Sequence, residues 1–582
     1  MAGLLLGAGC SAPHYRRSAD QEVYHIIQQV EKQVFGHTNA FSIDTRYSGR
    51  DPKSISPREI IEDRMATNRR VIQLEEALGL AVRNSREYQS QKEQLYLEAL
   101  NLTGARYKFT PQFFAKSNGR LENAHATSTQ IEYDAVTGEP LSTNLLTVRS
   151  WTGTLNSSFG VSQLLKTGGQ LGVTVANDLF RYYTGDPRRS AISTISVNLV
   201  QPLLRGFGRN SSAVESLTQA ERNIVYAIRS YSLYQDQFAV NIVNDYFSLL
   251  GLKDAVRNNY TNYLRRVETT QYLAARSVDR VRQSEVDDAR SAELGARITY
   301  INSLASYLTS LDAFKTRLGL PLSEQFYLND ADLRKLEAAG LMAVDINHAA
   351  AFRLAVGSHM DALNAIDRFE DSKRKIRVAA DALKPSLNLV ADASLRSEGD
   401  TDYTKFDPDK IRYGAGLELD LPLARRSERN DYRATLVTFE SQLRTLASTL
   451  DGFKDRIDRG LRTLEQQRLN YLNRQLALEV AQRRVDMNQM LLEAGRVQIQ
   501  QVREAQDALI TAQNDVTAGL VRYVQTRLQL LLDFGVLTTD RERFWLRDPL
   551  VGRLAENQRG KSALHMPEDQ LLPPNVYLEP PP

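Results

Sequence analysis

The sequence predicts a mainly α-helical fold in which two tandem copies of a long helical hairpin each carry a small group of β-strands. Three observations predict it. Matching segments recur in the same order in the two halves of the 582-residue chain. Each half contains a proline-free stretch of about 66 residues with apolar residues at helical spacing. Each half also contains segments in which apolar and polar residues alternate, as in a β-strand with one apolar face.

The duplication is visible in four pairs of segments: Ala77–Glu87 with Ala351–Asp361, Pro111 with Pro385, Pro202–Asn210 with Pro422–Asn430, and Asp279–Ala289 with Gly495–Ala505. The numbering offset is 274 in the first two pairs, 220 in the third and 216 in the fourth. The offsets 274 and 220 differ by 54 residues, which is the size of an insertion in the first half, between Pro111 and Pro202. Each half therefore reads as helix, strands, very long helix, turn and shorter helix.

Charge and hydropathy exclude two kinds of partner or anchor. The chain has 73 basic and 70 acidic residues spread along its length, so no basic surface for a nucleic acid is predicted. Charged residues interrupt every long apolar segment, so a membrane helix is not predicted either. Any crossing of a bilayer would have to use β-strands.

The first ten residues are expected to be an export signal. A short apolar run, Leu4 to Gly9, ends in small residues just before Cys10, the chain's single cysteine. This arrangement resembles the end of a bacterial lipoprotein signal with Cys10 as the lipidated residue. The alternative is an ordinary signal peptide with an incidental cysteine, and both predict an exported protein.

Period-two alternation predicts strands at 385–396 and 411–421 in the second half, and around Thr194–Leu199 and after Pro111 in the first. The insertion, a hairpin at about 124–185, adds two alternating runs, Trp151–Val161 and Leu171–Val175, joined by a Lys-Thr-Gly-Gly turn at 166–169. Four or six strands per chain are therefore both possible. The apolar side of such strands faces either the core of a soluble sandwich or the lipid around a barrel, and the alternation alone does not separate these.

The helices favour the barrel. Helices are expected at 72–106 and 346–383, very long ones at 210–280 and 429–494, and helices of about 36 residues after each turn. The very long helices would be on the order of 100 Å, about the summed length of the two shorter helices in each half. Four strands are too few to close a membrane barrel, which needs about eight. Oligomerisation is therefore required, and three copies with four strands each would give twelve.

At these segments the chain resembles the TolC family of outer-membrane efflux proteins. The resemblance lies in the segments QPLLRGFGRN (Gln201–Asn210), DLPLARRSERN (Asp420–Asn430), RSVDRVRQSEVDDAR and EAGRVQIQQVREAQDAL, and it spans about Leu74 to Leu537. It implies a homotrimer with an outer-membrane β-barrel, a periplasmic α-barrel and a mixed equatorial region. It also implies docking of a periplasmic adaptor (membrane fusion) protein driven by an inner-membrane pump.

The resulting domain scheme has six parts. They are a signal or lipobox remnant (1–10), an N-terminal periplasmic extension (11–70), a first repeat (71–321, tip about 278–284), an equatorial linker (322–345), a second repeat (346–537, tip about 494–500) and a C-terminal flexible tail (538–582). Most of the chain would lie in the periplasm, with outer-membrane lipid around the barrel.

Two groups of residues are candidates for function. The hairpin tips, where a sealed tube needs breakable contacts, are predicted to hold the periplasmic gate and the adaptor site: Asp279, Arg280, Val281, Arg282, Glu285, Glu493, Gly495, Arg496 and Val497. The alternative is ordinary solvated turn charges. The strand-to-helix motif comprises Gln201, Pro202, Gly206, Gly208 and Asn210, with Pro422, Arg425 and Asn430 in the second half. Its glycines are expected to supply backbone freedom.

Enzymatic chemistry is not predicted. The seven histidines are scattered, and the chain contains no HExxH, Walker A or GxSxG motif. No cofactor or metal is expected, since a solvated loop is favoured over a calcium site for the acidic segment 397–410. The expected function is the outer-membrane channel subunit of a tripartite efflux pump that passively exports small molecules. Alternatives are a duct for type I protein secretion and a soluble coiled-coil scaffold.

Overall fold

A computed structural model describes residues 12–133, 138–184, 189–277, 282–399, 402–421, 423–539, 543–550 and 553. Cys10, Asp279, Arg280, Val281 and Pro422 lie outside these ranges, as do the signal and nearly all of the C-terminal tail. The predictions that fall on them are therefore not addressed by the structure.

The described helices are α1 (Ala12–Phe35), α2 (Pro57–Arg64), α3 (Leu74–Asn84), α4 (Arg86–Tyr107), α5 (Ser212–Arg276), α6 (Gln283–Arg317), α7 (Ala331–Ala339), α8 (His348–Ser358), α9 (Met360–Asp381), α10 (Arg426–Glu493) and α11 (Ile499–Asp533). The described strands are β1 (Arg69–Ile72), β2 (Gln112–Tyr133), β3 (Pro140–Leu164), β4 (Gln170–Thr184), β5 (Arg189–Pro202), β6 (Gln325–Leu328), β7 (Ser386–Arg396) and β8 (Arg412–Asp420). The predicted fold class, long helices with a separate sheet, is confirmed.

The chain divides into two compact units. The first unit comprises residues up to 38, 97–225 and 368–444. Its described part contains a six-stranded sheet in the order β2-β3-β4-β5-β7-β8, in which every neighbouring pair is antiparallel. The sheet is open, with β2 and β8 at its edges. The inserted segment supplies the β3–β4 hairpin, so the described sheet has six strands, the larger of the two numbers that the sequence allowed.

Apolar residues of the sheet share one face. The register places Val173 opposite Val197, Val197 opposite Ala393 and Ala393 opposite Tyr413. Because side chains alternate along a strand, the next row, which includes Ser196 and Ser394, lies on the other face. The apolar face is uncovered: the side chains of Tyr413 and Phe113 are 82% and 72% exposed.

The second unit comprises residues 39–96, 226–367 and 445 onward. One cluster of its buried apolar side chains draws on α3, α5, α6, α7, α8, α10 and α11 and on the parallel strand pair β1–β6, and a smaller cluster lies between α10 and α11. A buried tyrosine joins these parts, since Tyr246 Oη lies within hydrogen-bonding distance of both the Ile72 carbonyl oxygen (3.1 Å) and Asp332 Oδ2 (2.8 Å). The Asp332 carboxylate also accepts from the Leu74 backbone N–H at 3.3 Å and so holds the start of α3.

The very long helices have the expected lengths. Helix α5 has 65 residues and α10 has 68, while α6 and α11 have 35 each. At a rise of about 1.5 Å per residue, α5 and α10 are each on the order of 100 Å long.

The expectation of single helices over 72–106 and 346–383 is wrong, because both are interrupted, at Ser85 and at His359. A glycine approaches each interruption. Helix α6 ends at Gly319 (φ +73°), where a Cβ would overlap the Asn84 carbonyl, and α11 ends at Gly535 (φ +67°), where a Cβ would lie 2.7 Å from the His359 nitrogen. The two halves therefore share this feature: a glycine after the shorter hairpin helix approaches the backbone at the helix interruption.

Candidate functional site

The tip of the second hairpin is a tight, well-defined turn. Helix α10 ends with Gly495 in the left-handed region (φ +70°), and the N–H groups of Gly495 and Arg496 donate to the carbonyls of Leu492 (3.0 Å) and Leu491 (2.8 Å). This pair of bonds is the Schellman arrangement, which satisfies the last carbonyls of a helix. It leaves Glu493, Gly495 and Arg496 exposed and Val497 half-buried.

The tip of the first hairpin is described only from Arg282 onward. Arg282 is 84% exposed, and its guanidinium lies 3.7 Å from the Glu285 carboxylate, three residues further along the same chain segment. Within the described part of the chain, Glu493 and Arg496 make no ion pair. The described tip charges therefore form one local pair and no pair between helices.

A charged contact between helices lies about three turns from the end of α5. Arg266 Nη2 donates to Asp507 Oδ1 of α11 at 2.6 Å and to the Arg503 carbonyl at 3.2 Å. The Arg266 side chain is 5% exposed, whereas that of Asp507 is 62% exposed. Burial lowers the pKa of the Arg266 guanidinium, and the Asp507 carboxylate offsets part of this effect.

The Arg266 contact borders a small polar cavity of about 130 Å³. Asp288 of α6 and Arg503 and Gln506 of α11 line it together with Arg266. Arg266 Nε is buried and has no hydrogen-bond partner among the described residues. An unsatisfied charged donor beside a cavity makes this contact costly to maintain and sensitive to a change in helix spacing.

Sequence reasoning placed the gate charges at the tips and missed Arg266 and Asp507. The duplication gave no signal for them. At the offset that relates the two tip segments, Arg266 corresponds to Gln482 and Asp507 to Ser291, so neither half repeats the charged pair.

The strand-to-helix motif of the first half is a compact hydrogen-bonded turn. Asp381, 3% exposed, accepts from the Gly206 N–H (2.7 Å) and from the Asn210 amide (3.2 Å). The Gly208 N–H donates to the Thr167 carbonyl at 2.8 Å. Gly206 (φ +78°) and Gly208 (φ +61°) both adopt the left-handed conformation that glycine tolerates best. The motif thus joins the β3–β4 turn, the end of β5 and the end of α9.

Gln201 and Pro202 end strand β5 in the same turn. The Gln201 amide donates to the Thr167 carbonyl at 3.2 Å, and its side-chain oxygen accepts from the Thr167 hydroxyl at 2.7 Å. Asp381 was missed by sequence reasoning because it lies 171 residues from Asn210 along the chain.

The second copy of the motif is built differently. Arg425 donates to the Leu383 carbonyl, and Asn430 is exposed, with its side-chain oxygen bonded only by the neighbouring Arg429 among the described contacts. The two halves therefore share the residues of the motif but not its hydrogen bonds.

Two further properties limit the chemistry of the described residues. None of the described helices combines the length and apolarity that would let it cross a bilayer. Among the same residues, histidine, cysteine, aspartate and glutamate side chains form no group of three that could hold a metal ion. In the acidic loop, the Asp402 carboxylate accepts from the Thr404 N–H (2.9 Å) and hydroxyl (2.7 Å).

No family model and no curated protein sequence matches the chain. Solved structures do. CusC is 11% identical, with 80% of this chain and 92% of that chain covered and a TM-score of 0.57. The CmeC outer-membrane channel of Campylobacter jejuni is 14% identical, with 79% and 85% covered and a TM-score of 0.56. The outer-membrane protein VceC of Vibrio cholerae is 12% identical, with 80% and 96% covered and a TM-score of 0.56.

The fold is that of the outer-membrane channels. The resemblance to the TolC family that the sequence predicted is thus confirmed at the level of the fold. The match covers more than four fifths of CusC, CmeC and VceC.

Proposed function

We propose that the chain is one subunit of a homotrimeric channel in the bacterial outer membrane, through which solutes leave the cell passively. The observation that carries this proposal is the open sheet with one uncovered apolar face. In water, such a face and two unpaired edges would be unfavourable. In lipid, the apolar face is solvated by acyl chains, and the edges must pair with further copies, since an unpaired edge cannot persist in a bilayer.

The number of strands sets the size of the barrel. If β2 of one copy pairs with β8 of the next, six strands from each of three copies give eighteen. Barrels of sixteen to eighteen strands leave an aqueous channel. The inserted β3–β4 hairpin therefore widens the pore beyond the twelve strands that four per chain would give.

We also propose that the hairpin tips form the periplasmic gate and dock an adaptor protein linked to an inner-membrane pump, for the export of small molecules. The pair Arg266–Asp507 supports a gate near the tips, because a partly buried ion pair holds α5 against α11 and is lost when the helices separate. Arg280 and Arg496 at the turns are the adaptor site in this proposal.

Single-channel conductance in planar bilayers tests the gate. Arg266→Glu places two carboxylates opposite each other, so the closed state weakens and the conductance of the resting channel rises. Arg280→Glu and Arg496→Glu are tested for conductance and for adaptor binding. Arg459→Glu is the matched control, because Arg459 is 68% exposed near the middle of α10, far from the tip, and pairs within its own helix with Asp455. If the conductance is unchanged in all three variants, and adaptor binding is unchanged in the two turn variants, these residues do not form the gate or the adaptor site.

Membrane fractionation tests the channel itself. The proposal expects the protein in the outer-membrane fraction and its extraction only by detergent. Recovery as a soluble exported protein would support the coiled-coil scaffold instead.

A further inference from the structure

A groove of about 760 Å³ lies on the described sheet, at the ends of β4 and β5 away from Pro202 and beside the middle of β2 and β3. Gly119 lies on its floor, where the missing side chain leaves a depression in the apolar face, and Gly153 lines it beneath the Tyr183 ring. Leu121, Leu155 and Leu179 form its apolar walls. Leu121 and Leu155 are 63% and 41% exposed, so the groove is open to its surroundings.

Two arginines stand at the outer rim of the groove. The register pairs Leu121 with Gly153, Gly153 with Arg181, and Arg181 with Arg189, so these residues form one row on one face. Arg181 and Arg189 are direct cross-strand neighbours, and both are exposed. Like charges in that position repel each other and destabilise the strand pair. Neither arginine makes an ion pair with a residue in the described ranges, so an external anion would offset the repulsion.

An aromatic ring completes the rim. Tyr183 lies over Gly153, since a Cβ on that glycine would meet the ring at 2.6 Å, and the Arg181 guanidinium lies 5.4 Å from the centre of the ring. Trp151, 39% exposed, lies beside it along β3. Tyrosine and tryptophan at this position are typical of the boundary between the apolar core of a membrane and its headgroups.

The spacing along β5 places Arg181 and Arg189 at the boundary between the apolar core of a membrane and its headgroups. Arg189 is ten residues from Leu199, which belongs to the apolar row before the polar Gln201. Ten residues extend about 34 Å along a strand, or about 26 Å across a bilayer at a tilt of about 40°. That distance is close to the roughly 25 Å apolar band of outer-membrane barrels.

One polar row interrupts the apolar face between these limits, and its members bond to each other. The hydroxyls of Ser117 and Ser157 lie 2.9 Å apart, Ser193 donates to Asn177, and the Ser193 N–H donates to the Ser397 hydroxyl at 3.0 Å. Lateral hydrogen bonding removes most of the cost of placing these groups in lipid. The row is therefore compatible with a lipid-facing surface.

We propose that this groove binds a phosphorylated glycolipid of the outer leaflet, with a phosphate between Arg181 and Arg189 and an acyl chain along Gly119 and the leucine walls. The proposal rests on the membrane location proposed above. Charge-assisted bonds from two guanidinium groups hold one phosphate in a fixed position, and the missing side chain of Gly119 leaves room for an acyl chain between the leucines. The groove thus offers cationic groups to the phosphate of the lipid and an apolar surface to its acyl chain.

Binding of diphosphoryl lipid A to the purified protein in phosphatidylcholine nanodiscs tests the site, with bound lipid counted by native mass spectrometry. Wild type is expected to bind lipid A at least tenfold more tightly than phosphatidylglycerol, and inorganic phosphate is expected not to compete. Arg181→Gln/Arg189→Gln is expected to weaken lipid A binding at least tenfold. Arg181→Lys/Arg189→Lys, which keeps both charges, should retain part of the affinity.

The matched control is Arg396→Gln/Arg412→Gln, which removes two exposed arginines from the opposite face of the sheet. It should bind lipid A as wild type does. The inference is overturned if Arg181→Gln/Arg189→Gln binds lipid A within twofold of wild type, if the control loses as much, or if phosphate or phosphatidylglycerol binds as well as lipid A. Failure of the proposed function gives a different result, since the chain would then not be recovered in nanodiscs at all.

Discussion

Replacing the glycines that end α6 and α11 should destabilise the second unit strongly. Gly319→Ala forces an L-residue into the left-handed region, which costs about 1–2 kcal/mol. The new Cβ also overlaps the Asn84 carbonyl, and relieving such overpacking costs about 1–3 kcal/mol more. The expected loss is therefore about 2–5 kcal/mol, and Gly535→Ala, whose Cβ would meet the His359 backbone, should lose a similar amount.

Gly495 supplies the control. It ends α10 in the same Schellman arrangement with φ +70°, but nothing lies within 4 Å of a Cβ built on it. Gly495→Ala should therefore cost only the about 1–2 kcal/mol of the backbone conformation. Guanidinium unfolding of the detergent-solubilised protein, followed by circular dichroism, measures all three variants. Equal losses in the three variants would refute the close approach of Gly319 and Gly535 to the helix interruptions.

Three further predictions concern buried polar groups. His359 accepts a hydrogen bond from a backbone N–H at the start of α9, and burial lowers its pKa. The free energy of unfolding should therefore fall as the pH drops below 6.5 and level off at the lower pKa of the folded state. His359→Asn should abolish this dependence in thermal scans at pH 5–8. Asp381→Ala leaves the Gly206 N–H unpaired and should cost about 1–3 kcal/mol in chemical unfolding. Arg527, fully buried, donates to two carbonyls in segment 543–550, so Arg527→Met should speed limited proteolysis there.

Much of the fold could be predicted from the sequence because its main signals are local. Helices α5 and α10 combine regular apolar spacing with a lack of proline, and several strands alternate apolar and polar residues over most of their length. The duplication supplied the remaining constraint, since a weak pattern in one half, such as the strand after Pro111, gains support from its partner in the other.

The parts that the sequence did not indicate depend on contacts between distant segments. At the two helix interruptions, Gly319 approaches the Asn84 backbone and Gly535 approaches the His359 backbone from distant parts of the chain, and no local pattern indicates either approach. Arg266 and Asp507, 241 residues apart, form their pair on helices that show no local sign of it. Such pairings follow from packing, which a single sequence does not encode in its local periodicity.

The count of chains and strands in the assembled pore tests the account most directly. Electron cryomicroscopy of the detergent-purified protein should show three copies whose sheets join, β2 of one to β8 of the next, in a barrel of eighteen strands. A monomer, or an assembly in which the β3–β4 hairpin stays outside the barrel wall, would contradict it.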